Sequence, residues 1–234
     1  MAGFAIVEPA LAGCGNPDGL GVSRVLEIPT TGGARYGQFR YGPLPLRPGE
    51  VVLTFDDGPF AVTTPKILEA LRKECVTATF FMIGRNVDKA PTVARAVRAD
   101  GHTIGSHSWS HVDMNTLTPA EQVDDYERGF RSLRAALGDY DPKLYRFPSF
   151  RHTPELLSRA EADGVAVIAA DATSEDWRGD APEASLARVM SALKQKKSGI
   201  LLFHDSKPNT VLLVPMVLAE LKRGGYRVVA LKPR

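Results

Sequence analysis

The sequence predicts an α/β fold, a (β/α) barrel with about seven parallel strands. Three observations point to it. From Val51 onward, short apolar runs alternate with segments of helical period, the pattern of repeated βα units. The first run, Val51-Val52-Leu53, leads into Thr54-Phe55-Asp56-Asp57-Gly58-Pro59, which places two carboxylates where a dinucleotide-binding sheet would carry a glycine-rich phosphate turn. Further on, the residues able to do chemistry fall at the ends of predicted strands, where barrels gather their catalytic groups. An open doubly wound sheet also fits the alternation, but an acidic turn repels phosphate and favours the barrel.

Along the chain, residues 1–48 are rich in Gly and Pro and weakly periodic. They read as an extended lead-in with one short hairpin near residues 26–41. The start, MAGFAIVEPALAGCG, has no basic residue and is interrupted by Glu8, so it makes a poor signal peptide as it stands. Strands are predicted at residues 51–55, 78–83, 103–105, 144–147, 165–169, 200–203 and 227–231. Helices are predicted at 65–73, 90–99, 119–137, 154–162, 182–194 and 211–223. Thr64-Pro65, Thr118-Pro119 and Thr153-Pro154 each set a capping hydroxyl before a proline at the first helical position. Glycines such as Gly138 and Gly224 follow predicted helices, where a left-handed residue is wanted.

Composition is that of an ordinary globular chain. A single domain of 234 residues is long enough to bury a large core. A net charge of +2 does not point to nucleic acid or an anionic membrane, and no apolar run approaches the roughly 20 residues of a transmembrane helix. Cys14 and Cys75 are either one disulfide, in an oxidising compartment, or two unrelated thiols. The absence of CxxC spacing argues against a cysteine zinc site.

The polar residues of interest share one predicted rim. Asp56 and Asp57 follow the first strand, His107 and His111 the third, Asp171 and Asp176 the fifth. Arg146 lies near the end of the fourth, and His204 ends the sixth. In His107-Ser-Trp-Ser-His111 the two imidazoles lie at i and i+4 on one face of a helical turn, so both can reach one metal ion. A lone HxxxH pair is a weak signal. A carboxylate from another strand end completes a two-histidine, one-carboxylate set that suits zinc or another divalent cation with an open position. Such an ion lowers the pKa of a water there towards about 7.

The paired aspartates then divide two tasks. A carboxylate committed to a cation is a poor base, so one serves as ligand and its neighbour as proton acceptor. His204 follows Leu202 on the same side of its strand, so Leu202 can wall an apolar pocket beside an imidazole acid, with Asp176 as the buried partner that keeps it protonated. The plainer reading is a strand-end histidine bonded to a carbonyl. His102 reads as structural and His152 as a surface residue.

In order along residues 51–205, TFDDGP, HSWSH, Arg146-Phe147-Pro148, Ser174-Glu175-Asp176-Trp177 and LFHD resemble the motifs of the polysaccharide deacetylases of NodB-homology type, carbohydrate esterase family 4. The resemblance implies a distorted barrel and metal-dependent removal of acetyl groups from sugars. By position it implies Asp56 as base and Asp57, His107 and His111 as ligands of one divalent ion, zinc first, with cobalt, manganese or nickel as alternatives. It implies His204 as acid, Arg146 steadying Asp56, and Asp176 steadying His204. Leu202 and Trp177 would line the acetyl pocket, and the Ser149 N–H would face the oxyanion.

Two departures stand out. Ser149 and Phe150 follow the motif proline where family members usually carry an aromatic residue and then Gly. The segment from Asp171 to Asp176 is longer than usual, so these two carboxylates can exchange roles. Domain limits follow as an extension at 1–48 and a deacetylase domain at 49–234. The expected substrate is an N-acetylglucosamine glycan: peptidoglycan, chitin or chitooligosaccharide. O-acetyl ester cleavage on a xylan-like polymer and a silent carbohydrate-binding homologue are the alternatives. Acetylated wall glycans lie outside the cytoplasm, so a periplasmic or secreted location is expected.

Overall fold

The computed structural model describes residues 15–234 together with the backbone of Ile6–Val7. The strands and helices run in the order β1 (Ile6–Val7), β2 (Val22–Ile28), β3 (Arg35–Tyr36), β4 (Glu50–Asp56), α1 (Thr64–Lys73), β5 (Thr79–Met82), α2 (Gly84–Lys89), α3 (Pro91–Ala99), β6 (Thr103–Ser106) and α4 (Pro119–Leu137). They continue as β7 (Leu144–Tyr145), α5 (Pro154–Ala162), β8 (Ala166–Ile168), β9 (Ala172–Thr173), α6 (Pro182–Lys196), β10 (Gly199–His204), α7 (Pro208–Arg223) and β11 (Arg227–Pro233).

Strands β4 to β10 circle in the order β9-β10-β4-β5-β6-β7-β8, with every neighbouring pair parallel. No ladder joins β8 to β9 among the described residues, so the ring is open there and the barrel is distorted. β4 is buried along its whole length, as a strand covered on both faces must be. Its alternate side chains part company. Val51, Leu53 and Phe55 pack outward with helix residues such as Leu68 of α1 and Leu213 of α7. On the other face Val52 packs among Ile168, Ile200 and Phe81 inside the barrel, and Thr54 and Asp56 continue that face towards the C-terminal rim. A carboxylate is thus delivered to the rim by the same alternation that builds the core.

The lead-in does not form the expected hairpin. β2 pairs parallel with β11 and antiparallel with β1, and β3 pairs with β8, so the two halves of the supposed hairpin sit on different strands. A buried, two-pronged ion pair from Arg24 to Glu50, at 2.9 and 2.7 Å, is what lets a charged residue occupy an inward position of β2. Helix α2 is also additional to the sequence reading.

Two of the three Thr-Pro starts cap as expected: Thr118 forms a capping box with Glu121, and Thr153 accepts from the Leu156 N–H. Thr64 does not cap α1. Its hydroxyl accepts from the Phe60 N–H and donates to Asp205 instead. After α7 the left-handed residue is Gly225, at φ +69°, and Gly224 stays helical. Cys75 is disulfide-bonded, whereas Cys14 lies outside the described residues.

Candidate active site

The C-terminal rim of the barrel gathers the predicted polar residues. In the ladder between β4 and β10, His204 is the register partner of Asp56, and Leu202 that of Thr54. Register partners on adjacent parallel strands point to the same face, so Asp56 and His204 stand side by side.

Arg146 emerges just past β7 and is wholly buried. Its Nη1 donates to Asp56 Oδ1 at 2.7 Å and to Thr54 Oγ1 at 2.8 Å. Its Nε and Nη2 donate to the carbonyls of Ile168 and Ala169, each at 2.9 Å. The guanidinium also lies 4.2 Å from the centre of the Phe81 ring. Burial pushes the Asp56 carboxyl up from the ordinary carboxylate range, while the Arg146 charge pulls the other way.

The next residue turns the other way. Asp57 takes φ +79°, a backbone conformation that aspartate tolerates better than most residues. Asn86 on α2 donates to its carbonyl at 2.7 Å, and Ser206 reaches its Oδ2 at 3.3 Å. Asp57 Oδ1 is buried and has no hydrogen-bond partner. It lies 3.4 Å from His111 Nε2 and 3.8 Å from His107 Nε2.

Ligand atoms bound at about 2.1 Å to one tetrahedral ion sit about 3.4 Å apart, so these three groups fit a divalent cation. The nitrogen bookkeeping agrees. His107 Nδ1 donates to the Arg146 carbonyl at 2.7 Å, which leaves its Nε2 lone pair for the ion. Burial holds the pKa of His107 far below the ordinary histidine value, so the ring is neutral. The loop that carries both histidines is fastened to α4, where Asp125 accepts from the N–H groups of Trp109 and Ser110.

On the opposite side, His204 Nδ1 meets Asp176 Oδ1 at 2.7 Å. The other Asp176 oxygen accepts from the His204 N–H at 2.8 Å and the Thr210 hydroxyl at 2.6 Å. Burial disfavours the imidazolium, but the Asp176 hydrogen bond and charge, with Asp56 and Asp57 adding to them, hold the His204 pKa above its usual value. Trp177 is 49% exposed and stands edge-on to His204, with centroids 5.0 Å apart. Leu202 is buried beneath, on the same face as His204.

Asp171, the alternative partner, is elsewhere. It spans the open seam of the barrel, accepting from the N–H groups of Gln38 at 2.6 Å and Ile200 at 2.7 Å. Ser149 is exposed at φ +50°, in the turn that follows Arg146. His102 accepts from the Ala78 N–H and is structural, as read. His152 is not a free surface residue. Its ring contacts Tyr41 and Phe147 and is half-buried.

Thr54, Asn86, Asp125, Ser206 and Thr210 also shape this site. Only Thr54 sits inside a motif, and the others approach from helices and loops that no spacing rule ties to the strand ends.

Residues 45–168 match the model of the family described as polysaccharide deacetylase. The chain belongs to that family. This polysaccharide deacetylase family member is 33% identical over 195 residues to the chitin deacetylase of Colletotrichum lindemuthianum, covering 78% of each chain. Among solved structures it resembles a peptidoglycan deacetylase of Bdellovibrio bacteriovorus, with TM-score 0.80 and 33% identity over 88% of this chain and 57% of the other. It also resembles a carbohydrate esterase family 4 pseudoenzyme of Bacillus anthracis, with TM-score 0.71 and 27% identity over 79% and 68%. The deacetylase family member has no helix long and apolar enough to cross a membrane among its described residues.

Proposed function

We propose that this chain removes N-acetyl groups from N-acetylglucosamine glycans, with residues 49–234 as the catalytic domain and residues 1–48 as an extension joined to it through β2. The observation that carries the reading is the side-by-side placement of Asp56 and His204, each fixed by its own buried partner, beside the Asp57, His107 and His111 set. Two of the named relatives are a chitin deacetylase and a peptidoglycan deacetylase, whose substrates share that sugar.

Asp57, His107 and His111 would hold one divalent ion, zinc first. When bound, the ion supplies Lewis-acid polarisation of the acetyl carbonyl and a more acidic water. Asp56, held through Oδ1 by Arg146, takes the proton of the attacking water on Oδ2. Its raised pKa suits it to receive one. The Ser149 N–H donates to the developing oxyanion. His204, protonated by virtue of Asp176, gives its Nε2 proton to the departing amine. Leu202 and Trp177 wall the space for the acetyl methyl beside that imidazole.

The test is acetate release from chitooligosaccharides, peptidoglycan and acetylated xylan, before and after chelation and after zinc is restored. Release from the first two, abolished by chelator and recovered with zinc, is the expected result. Release from xylan alone would make the chain an O-acetyl esterase. Glycan binding without acetate from any substrate would make it a silent homologue. Acetylated wall glycans place the working protein in the periplasm or outside the cell.

A further inference from the structure

We propose that Phe39 and Phe150 form a sugar-stacking subsite at the rim of the cleft, which binds a glycan residue next to the one being deacetylated. The two rings meet edge to face, with centroids 5.6 Å apart and planes at 74°. Phe39 is 41% exposed. An edge-to-face pair covers only one face of one ring, and an uncovered face carries the negative lobe of the aromatic quadrupole. The axial C–H bonds of a pyranose ring are its electrostatic and shape complement.

The placement is continuous with the catalytic groups. Phe150 ends the turn Pro148–Phe150, four residues after the arginine that holds Asp56. Phe39 donates its N–H to the carbonyl of Ala170, and Arg146 Nη2 donates to that of Ala169, so the subsite and the base are tied to adjacent residues. Exposed aromatic residues on mobile loops are common and mean little, but this one is pinned. Residues 37–41 form a tight turn with Tyr41 and Arg40 N–H groups bonded to the Gly37 carbonyl. Gly37 sits so close to Ala169 that a Cβ there would come within 2.5 Å of its carbonyl carbon. The neighbouring Gln38 N–H is bonded to Asp171, and the Arg40 side chain donates to the Phe150 carbonyl at 3.0 Å.

Phe150 itself is held at φ +56° and Ser149 at φ +50°, conformations that cost a bulky residue energy unless the surroundings enforce them. The exposed Phe39 ring is thus held against a half-buried Phe150 at the end of the turn that follows Arg146. Trp177, exposed against His204, offers a second aromatic surface on the acid side. Phe39 lies outside the matched family region of residues 45–168, as do Asp176 and His204.

The inference rests on the glycan reading above, so its test is kept separate from turnover. Chelated protein, which does not consume the ligand, is titrated calorimetrically with N-acetylglucosamine, which cannot span both positions, and with chitotetraose. Loss of one stacking ring is expected to raise the Kd for chitotetraose about fivefold in Phe39→Ala, leaving that of N-acetylglucosamine unchanged. Phe39→Trp, which keeps a ring there, is expected to restore tight binding. Circular dichroism and melting temperature verify that both variants fold. Equal Kd values for wild type and Phe39→Ala would overturn the subsite, as would failure of chitotetraose to bind wild type. A change in self-association on light scattering, with no change in glycan binding, would also overturn it and assign the patch to contacts between copies. Acetate release by the zinc-loaded enzyme is followed in parallel. Release with an unaltered KM for chitotetraose in Phe39→Ala removes the subsite alone, whereas no release from any glycan removes the functional reading.

Discussion

Arg146 Nη1 stands 2.7 Å from Asp56 Oδ1, with both side chains out of water. The same guanidinium satisfies two carbonyls at the end of β8, so it is at once the partner of the base and a cross-brace inside the barrel. Arg146→Met is expected to abolish turnover and to destabilise the fold by about 3–5 kcal/mol, because it strands a buried carboxylate. Urea denaturation beside the acetate assay measures the two effects. A variant as stable as wild type would show that the brace is dispensable.

Asp57 poses the opposite case. Its Oδ1 is buried without a hydrogen-bond partner, facing only the two imidazole nitrogens. Asp57→Asn keeps the shape and tolerates the positive φ. In chelated protein it is expected to be at least as stable as wild type. With zinc at 100 times the wild-type Kd, wild type should gain about 2.7 kcal/mol and the variant far less. Melting curves with and without zinc provide the comparison.

His204 is raised above its ordinary value of 6.5, and Asp176 is lowered below 3.8. The raised histidine contributes stability that is present in full below pH 6.5 and is lost as pH climbs through its folded value. The lowered aspartate contributes stability that is present above pH 3.8 and is lost as pH falls through its folded value. Chelated Asp176→Asn should therefore fall furthest behind wild type between these limits and approach it on either side. In the zinc-loaded enzyme, the basic limb of kcat/KM should move to lower pH, since an acid without its carboxylate loses its proton sooner. An unmoved basic limb would remove His204 from the role of acid.

Asp171→Ala separates the two carboxylates of that segment. It leaves the N–H groups of Gln38 and Ile200 without their acceptor, and a loss of about 3 kcal/mol in stability is expected. The pH dependence of the remaining activity should match wild type, in contrast to Asp176→Asn. Stability is read by chemical denaturation and the profile by acetate release.

Much of this was legible beforehand, for identifiable reasons. The seven strands predicted from residue 51 onward all appear, and those buried on both faces, such as β4 and β10, read as apolar runs for that reason. Asp56, Asp57, His107, His111, Arg146, Asp176 and His204 were legible because barrels expose side chains where strands end. β2 was missed although Val22, Leu26 and Ile28 alternate inward. Arg24 breaks the apolar pattern, and only its partner Glu50, 26 residues away in sequence, makes that position tolerable. Helix α2 was missed because it has six residues and begins at Gly84, which is small because Trp109 and Gly129 press against it.

The sequence alone determined which residue types stand at the strand ends, and hence a rim of carboxylates and imidazoles on an α/β barrel. Periodicity and local turn chemistry are short-range properties, readable one segment at a time. Tertiary structure decided the partnerships: Asp176 rather than Asp171 beside His204, Arg146 across the barrel on Asp56, and Phe39 folded back against Phe150. Each joins residues 28 to 111 positions apart, and such pairings follow from how strands register and where the ring fails to close, which no local pattern encodes.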